Sequence, residues 1–189
     1  MLSKTELRLH LRKVRQELSE YRFFWKPELL NACAPLFKPG QIVAGYMALG
    51  GEVGVDPLME LALDCGCLTA LPYLENRAAD MEFRLWTDQE TLEIAPFGFA
   101  QPAVAAPLAT PDILIVPLLG FDAQLNRLGQ GAGHYDRYFS NHPIALRIGI
   151  GWSQQKVEAL PVDPWDVPMD AILTEQSLIT APHSRIPTQ

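Results

Sequence analysis

The chain has 189 residues, 48% of them hydrophobic and 20% charged, enough to bury a sizeable core, and it is expected to form a single domain over residues 1–189. Its formal net charge of −7 excludes broad binding to nucleic acid or to an anionic membrane surface. No apolar run has the length of a bilayer crossing, and no apolar segment follows Met1-Leu2-Ser3-Lys4, so a cytoplasmic protein without a signal peptide or membrane span is expected.

The first element is a helix over residues 3–18. Ser3-x-x-Glu6 is a capping box, and Leu7, Leu11, Val14 and Leu18 recur on one helix face. Lys4, Arg8 and Arg12 form a second, basic stripe with Arg15 beside it. A stripe of this kind is either a solvated face or a row of cations for an anionic ligand. Pro27 to Phe37 reads as a second short helix, ended by Pro39-Gly40, and Ile42 to Met47 as a strand. Asp56-Pro57 has the form of an N-cap followed by proline at the first helical position, and its helix runs to Gly66. Strands follow over Leu68 to Tyr73 and Met81 to Trp86, and residues 87–109 are irregular. Ile113 to Leu118 is continuously apolar, the mark of a strand buried on both faces. Tyr135 to Phe139 reads as helix, Ile144 to Ile150 and Ala171 to Leu173 as strands, and the tail after Ala181 as frayed. Cys33, Cys65 and Cys67 form no even framework, and Cys65-Gly66-Cys67 is too closely spaced for a zinc site, so reduced structural thiols are expected. Alternating strands and helices with a buried-type strand imply a three-layer α/β/α sandwich around a mostly parallel, mixed sheet, Rossmann-like.

The most informative stretch is Arg127-Leu-Gly-Gln-Gly-Ala-Gly-His-Tyr-Asp136. Gly129, Gly131 and Gly133 alternate just before a helix, downstream of the apolar strand. Glycine lets backbone amides approach an anion, and the helix start adds unpaired donors. Arg127 adds a permanent, fork-shaped cation. Asp136 falls near the first turn, where it could hold magnesium against phosphate oxygens. The pattern is neither a P-loop, which needs Lys-Ser/Thr, nor a dinucleotide G-x-G-x-x-G. Spacing alone leaves it open between an anion-binding loop and a glycine-rich turn.

Val116-Pro-Leu-Leu-Gly-Phe-Asp122, followed by Arg127-Leu-Gly-x-Gly-x-Gly-x-Tyr-Asp136-Arg137, resembles the signature of the 5-formyltetrahydrofolate cyclo-ligase family. The resemblance extends along nearly the whole chain, through Lys4-x-x-x-Arg8, Glu52-Val53, Met81-x-Phe83-x-x-Trp86, Phe97-Gly98, Ile148-Gly-Ile-Gly151 and Trp165-Asp-Val-Pro-Met-Asp170. It departs from the family pattern at Leu125, where glycine is usual, and at Gln101, Gln130, Ala132 and His134. Because a branched side chain tolerates positive φ poorly, Asn126 is expected to take over the turn role at Leu125.

The resemblance implies ATP- and magnesium-dependent closure of 5-formyltetrahydrofolate to 5,10-methenyltetrahydrofolate. It implies a triphosphate cradle made of Lys4, Arg8, Arg127, Leu128, Gly129, Gln130, Gly131, Ala132, Gly133, His134 and Tyr135, with Arg127 catalytic. It implies a folate subsite with Met47, Glu52, Trp86 and Tyr135, where Glu52 accepts hydrogen bonds from the pterin. Asp136 and Asp170 would be the magnesium ligands. On the residues alone, Asp136 is equally a helix N-terminal carboxylate and Asp170 a loop residue. The expected partners are the two small molecules, and the expected state is a monomer. The alternative is a folate- or nucleotide-binding protein of the same fold with weak or no catalysis.

Overall fold

The computed structural model describes residues 2–21, 25–76, 78–87, 90–95, 98–143, 145–180 and 186. In chain order its first elements are helix α1 (Lys4–Leu18), helix α2 (Pro27–Cys33), strand β1 (Ile42–Ala44), helix α3 (Asp56–Asp64), and strands β2 (Leu68–Tyr73), β3 (Glu82–Leu85), β4 (Glu93–Ile94), β5 (Ala100–Gln101) and β6 (Leu108–Ala109). Strands β7 (Ile113–Pro117), β8 (Gly120–Phe121) and β9 (Arg127–Leu128) follow, then helix α4 (His134–Asn141) and strands β10 (Leu146–Ile150), β11 (Ala171–Leu173) and β12 (Leu178–Thr180).

Eight strands form one sheet in the order β12-β11-β10-β7-β1-β2-β3-β6. The inner strands β2, β1, β7, β10 and β11 are parallel, and β12, β3 and β6 join antiparallel at the two edges. The apolar run of β7 is buried on both faces, as its sequence predicts. Ile113 and Ile115 pack with Leu29 of α2 and with Leu58 and Ala62 of α3. Leu114 and Val116 pack with Tyr138 and Phe139 of α4 on the other face. Each such side chain contributes roughly 1.5–3 kcal/mol relative to exposure. The result is the expected three-layer α/β/α arrangement.

Helix α1 packs mainly on a small cluster of its own, and its last residue, Leu18, reaches the core beneath α2 and α3. Its capping box forms, with Ser3 and Glu6 satisfying each other's backbone amides, a motif worth about 1 kcal/mol. Leu7 and Leu11 bury against Leu119, Leu128 and Leu160. A Cβ on Gly120 would stand 2.5 Å from Leu11 Cδ1, so the bare glycine is what lets the helix dock.

Local differences from expectation have local causes. Helix α2 stops at Cys33 and gives way to a tighter turn over Ala34–Leu36, because Pro35 removes an amide donor. Asp56 is the first helical residue of α3, and Val55 occupies the N-cap without a side-chain bond. The β1 ladder ends at Ala44, with a last bond from Gly45 N to Ala70 O, and the chain runs on as a loop to Val55. The irregular stretch 87–109 contains the short pair β4–β5 and edge strand β6. Ile144, Phe97 and the tail from Ala181 lie outside the described residues, except Ile186, which is buried in the core beside α2 and α3.

Candidate active site

Strand β1 leads through α3 to β2 on one side, while β7 lies on its other side. Such a reversal opens a crevice outside the carboxyl ends of the two strands. A cleft of about 1060 Å³ occupies that place. It lies at the upper end of the range for small-molecule sites, which suits two ligands side by side. Lys4 and Arg8 of α1 border it, with the loop after β1, the end of β7 and the segment from Arg127 to Arg137.

The β8–β9 hairpin sets the position of Arg127. Asp122 anchors its turn: Oδ1 accepts from the amides of Gln124 and Asn126, both at 3.0 Å, and Oδ2 accepts from Asn126 Nδ2 at 2.9 Å and Leu160 N at 3.1 Å. Within that turn Leu125 itself adopts φ +62°, and Asn126 does not take over the role. A non-glycine residue pays about 1–2 kcal/mol for this conformation. The Asp122 bonds impose it, and burial of the Leu125 side chain to 1% exposure offsets it.

Beyond the hairpin, the glycines make room for guanidinium groups. A Cβ on Gly129 would stand 2.6 Å from Arg127 Nη1. At Gly131 (φ +106°) it would stand 3.3 Å from Arg8 Cζ. Arg8 Nε donates to Gly129 O at 3.0 Å, and Arg12 reaches Gln130 through Nε and Nη2, both at 3.2 Å. Arg127 Nη2 pairs with Asp136 at 3.2 Å, and Nη1 donates to Pro117 O at 3.3 Å. Lys4 Nζ pairs with Asp163 at 2.6 Å and also with Asp166. Burial alone would lower the Lys4 pKa, but the two carboxylates outweigh it and raise the value.

His134 begins α4, and its Nδ1 lies 2.8 Å from Arg137 Nη2. A guanidinium only donates, so Nδ1 accepts and the proton resides on Nε2. Burial first, then Arg137, lower the His134 pKa, with Asp80 opposing. Tyr135 stays a neutral phenol: burial and then the Glu52 charge push its pKa up, against Arg127. On the opposite wall, Glu52 accepts from Arg15 Nη1 at 3.2 Å and from Leu49 N at 3.1 Å. Met47, Leu74, Met81 and Phe99 supply apolar lining. Gln101, buried at 4% exposure, uses Oε1 to accept from Leu74 N at 3.0 Å behind that wall.

Every expected site residue borders this cleft except Trp86 and Asp170. Strand β3 runs antiparallel to β2, with Glu82 beside Tyr73 and Leu85 beside Ala70. Trp86 therefore falls at the amino end of β2, where its amide donates to Thr69 O and its Nε1 to Glu90 O. Asp170 precedes β11 and sits at the amino ends of the parallel strands, where Oδ2 accepts from Arg147 N at 2.8 Å and Nε at 3.0 Å. Arg147 pairs in register with Leu114, whereas Arg127 and Asp136 gather at Pro117. Each of the two carboxylates thus pairs with its own arginine, Asp136 with Arg127 at the cleft and Asp170 with Arg147 at the amino ends of the strands. Among the described residues no group of three or more His, Cys, Asp or Glu could hold a metal. Phe83, in the same motif as Trp86, belongs to the core, edge-on to Tyr138 at 4.8 Å.

Sequence reading passed over Asp163, Trp165, Asp166 and Arg137, which also border the cleft. Asp163 and Asp166 flank Trp165 in a short acidic run, but nothing in the spacing ties that run to Lys4, 159 and 162 residues away.

The family model for the 5-formyltetrahydrofolate cyclo-ligase family matches residues 1–175. The chain is 34% identical over 139 residues to the 5-formyltetrahydrofolate cyclo-ligase of Escherichia coli (strain K12), covering 70% of this chain and 76% of that protein. It is 30% identical over 188 residues to the protein of that name from Mycolicibacterium smegmatis, covering 95% and 97%. The NMR structure of Aquifex aeolicus 5,10-methenyltetrahydrofolate synthetase superposes with a TM-score of 0.74 at 26% identity, covering 100% of this chain and 97% of that one.

Proposed function

Because the chain belongs to the 5-formyltetrahydrofolate cyclo-ligase family, we propose that its cleft closes 5-formyltetrahydrofolate to 5,10-methenyltetrahydrofolate at the expense of ATP. The observation that carries the assignment of the cleft is one juxtaposition. A glycine loop overlaid by Arg8 and Arg127 faces a fixed carboxylate, Glu52, across one crevice.

The N-formyl group is stable because its oxygen leaves poorly. In the proposed sequence that oxygen attacks the γ-phosphorus of ATP, the bond to ADP breaks, and an imidate-like phosphate forms. N10 of the folate then adds to the activated carbon, the carbon–oxygen bond breaks, phosphate departs with that oxygen, and N10 loses its proton. Phosphoryl transfer asks a protein mainly for positioning and for charge placed where charge develops. Arg8 and the loop amides would hold the triphosphate. Arg127 would meet the transferring group, with a buried Nε that has no hydrogen-bond partner among the described residues. His134 would donate through Nε2. Glu52 would accept from the pterin donors, and Met47 and Tyr135 would line the ring.

Magnesium remains part of the proposal as an ion carried by the nucleotide. Of its two expected ligands only Asp136 faces the phosphate side, and its carboxylate is shared with Arg127. The proposal extends to a monomeric, cytoplasmic enzyme. Among the described residues no helix is long and apolar enough to cross a membrane, and light scattering of the purified chain checks the monomer.

The test is the near-ultraviolet absorbance of methenyltetrahydrofolate, followed with 5-formyltetrahydrofolate, ATP and magnesium and with each omitted in turn. Growth of absorbance that needs protein, folate and ATP together is the expected result. Binding of folate or ATP, seen as a raised melting temperature, without any product would make this chain a binder and overturn the proposal.

A further inference from the structure

We propose that Arg15 is a positioning residue for folate recognition: it holds the Glu52 carboxylate in place at the pterin end of the cleft. The inference rests on the reading of Glu52 as the pterin contact.

Arg15 continues the basic stripe of Lys4 and Arg8 along α1, where a charge stripe usually meets solvent. Instead it is 6% exposed, the most buried cation of that stripe. Its guanidinium turns under the loop after β1, and Nη1 lies 3.2 Å from Glu52 Oε1. The loop descends onto the helix because it has no side chains at Gly50 and Gly51. Both have positive φ, +53° and +81°. A Cβ on Gly51 would stand 2.9 Å from Ser19 Cβ and 3.4 Å from Arg15 O, and one on Gly50 would stand 3.8 Å from Arg15 Nη2. The glycine pair, the last turns of α1 and the carboxylate form one assembly.

Within it each oxygen of Glu52 has one protein donor: Arg15 on Oε1 and the Leu49 amide, at 3.1 Å, on Oε2. A carboxylate oxygen has capacity for a further bond, so both can still accept from a planar ligand with two parallel N–H donors, such as an aminopyrimidine edge. A carboxylate held by a donor on each oxygen is fixed in its orientation. Two phenols lie near it, Tyr46 of the same loop and Tyr135 of α4, and burial keeps both neutral, while Asp56 shares a neighbouring pocket with it. Arg15 Nε is buried without a hydrogen-bond partner among the described residues, a cost that a residue present for packing alone would avoid.

The experiment compares the full chain with Arg15→Lys, Arg15→Met, Glu52→Gln and the double variant Arg15→Met/Glu52→Gln. The readouts are kcat and the KM for each substrate. Arg15→Met is expected to raise the folate KM by about tenfold or more and leave the ATP KM within about twofold, the loss of a charged hydrogen bond to one substrate. Arg15→Lys should recover most of the loss. The double variant should match Glu52→Gln, since Arg15 acts through that carboxylate. If Arg15→Met does not fold, the lysine variant and the double variant, which leaves no unpaired charge, decide the question. A folate KM raised by Glu52→Gln but untouched by the Arg15 changes would overturn the positioning role and leave Glu52 as the contact. A folate KM unmoved by Glu52→Gln would overturn the Glu52 reading itself. A double variant worse than Glu52→Gln would assign Arg15 a separate role and also overturn the inference.

Discussion

Arg127 and Asp136 clasp each other beside the glycine loop, with Nη2 lying 3.2 and 3.3 Å from the two carboxylate oxygens. The Arg127 side chain is 5% exposed and that of Asp136 is 23%. The cation is therefore aimed from inside the protein, by Asp136 on one arm and Pro117 O on the other. Preorganised charge of this kind is worth about 10²–10³ in turnover per donor removed. Arg127→Ala should lose that much in kcat and still give a cooperative melt. Arg127→Lys should recover little, because an ammonium cannot keep the two-armed fork. Steady-state kinetics beside thermal melts check this, and near-normal kcat in Arg127→Ala would remove Arg127 from the reacting centre.

Gly131 holds φ +106° with Arg8 packed over it. Alanine there meets both a strained backbone, at about 1–2 kcal/mol, and the guanidinium. Gly131→Ala should raise the KM for ATP by about tenfold or more through displacement of Arg8, an effect of the size of one lost charged hydrogen bond. The KM for the folate should stay put. Initial rates over a grid of both substrates distinguish this from a general loss.

The amino ends of the strands should be silent in the chemistry. Asp170→Asn breaks a buried pair with Arg147, whose side chains are 10% and 14% exposed, and should cost about 3–5 kcal/mol of stability. The magnesium dependence at fixed ATP should not change. Trp86→Ala should leave both KM values where they are. A magnesium midpoint that shifts in Asp170→Asn would bring that residue back to the metal.

His134 makes the folded chain sensitive to acid. Burial and Arg137 depress its pKa below the ordinary 6.5. Between the depressed value and 6.5 the unfolded chain binds more protons than the folded one, so stability rises with pH across that window. The contribution is complete above 6.5 and lost as pH falls through the folded value. Denaturant titrations at about pH 5 and about pH 7.5 should differ less in His134→Asn than in the parent chain. An identical difference would show that His134 does not carry the effect.

The three thiols should react unequally. Cys33 is 1% exposed and burial pushes its pKa to about 11. Burial and then Cys65 raise that of Cys67, which is 4% exposed. Cys65 is half-buried. Since the thiolate is the reactive form, a disulfide reagent on the native chain should modify Cys65 rapidly and the other two only on unfolding. Rapid modification of all three would contradict this burial.

Much of the fold was legible because its signals are local. The Ser3–Glu6 cap, the unbroken apolar run of β7 and the alternating glycines each report on a few neighbouring residues. The resemblance of spaced motifs, in order along the chain, carried the family and its reaction. What stayed hidden depends on strand direction and on distant partners. Trp86 reads like its neighbours Met81 and Phe83, but the antiparallel run of β3 carries it to the far end of the sheet from Met81. Asp170 matches the family's motif, yet only the fold shows it at the amino ends of the parallel strands, paired with Arg147. Leu125 looks unsuited to its turn until Asp122 is seen to impose the conformation.

By itself the sequence determined the layer architecture, the family and most of the residues that border the cleft, because periodicity and motif order survive without coordinates. Tertiary structure alone decided which charges are free to meet a ligand and which already have a partner. Lys4 is held by Asp163 and Asp166, Arg127 by Asp136 and Arg15 by Glu52. The physical reason is that ion pairing falls off within a few ångströms and burial sets its strength, and only folding brings such distant residues that close.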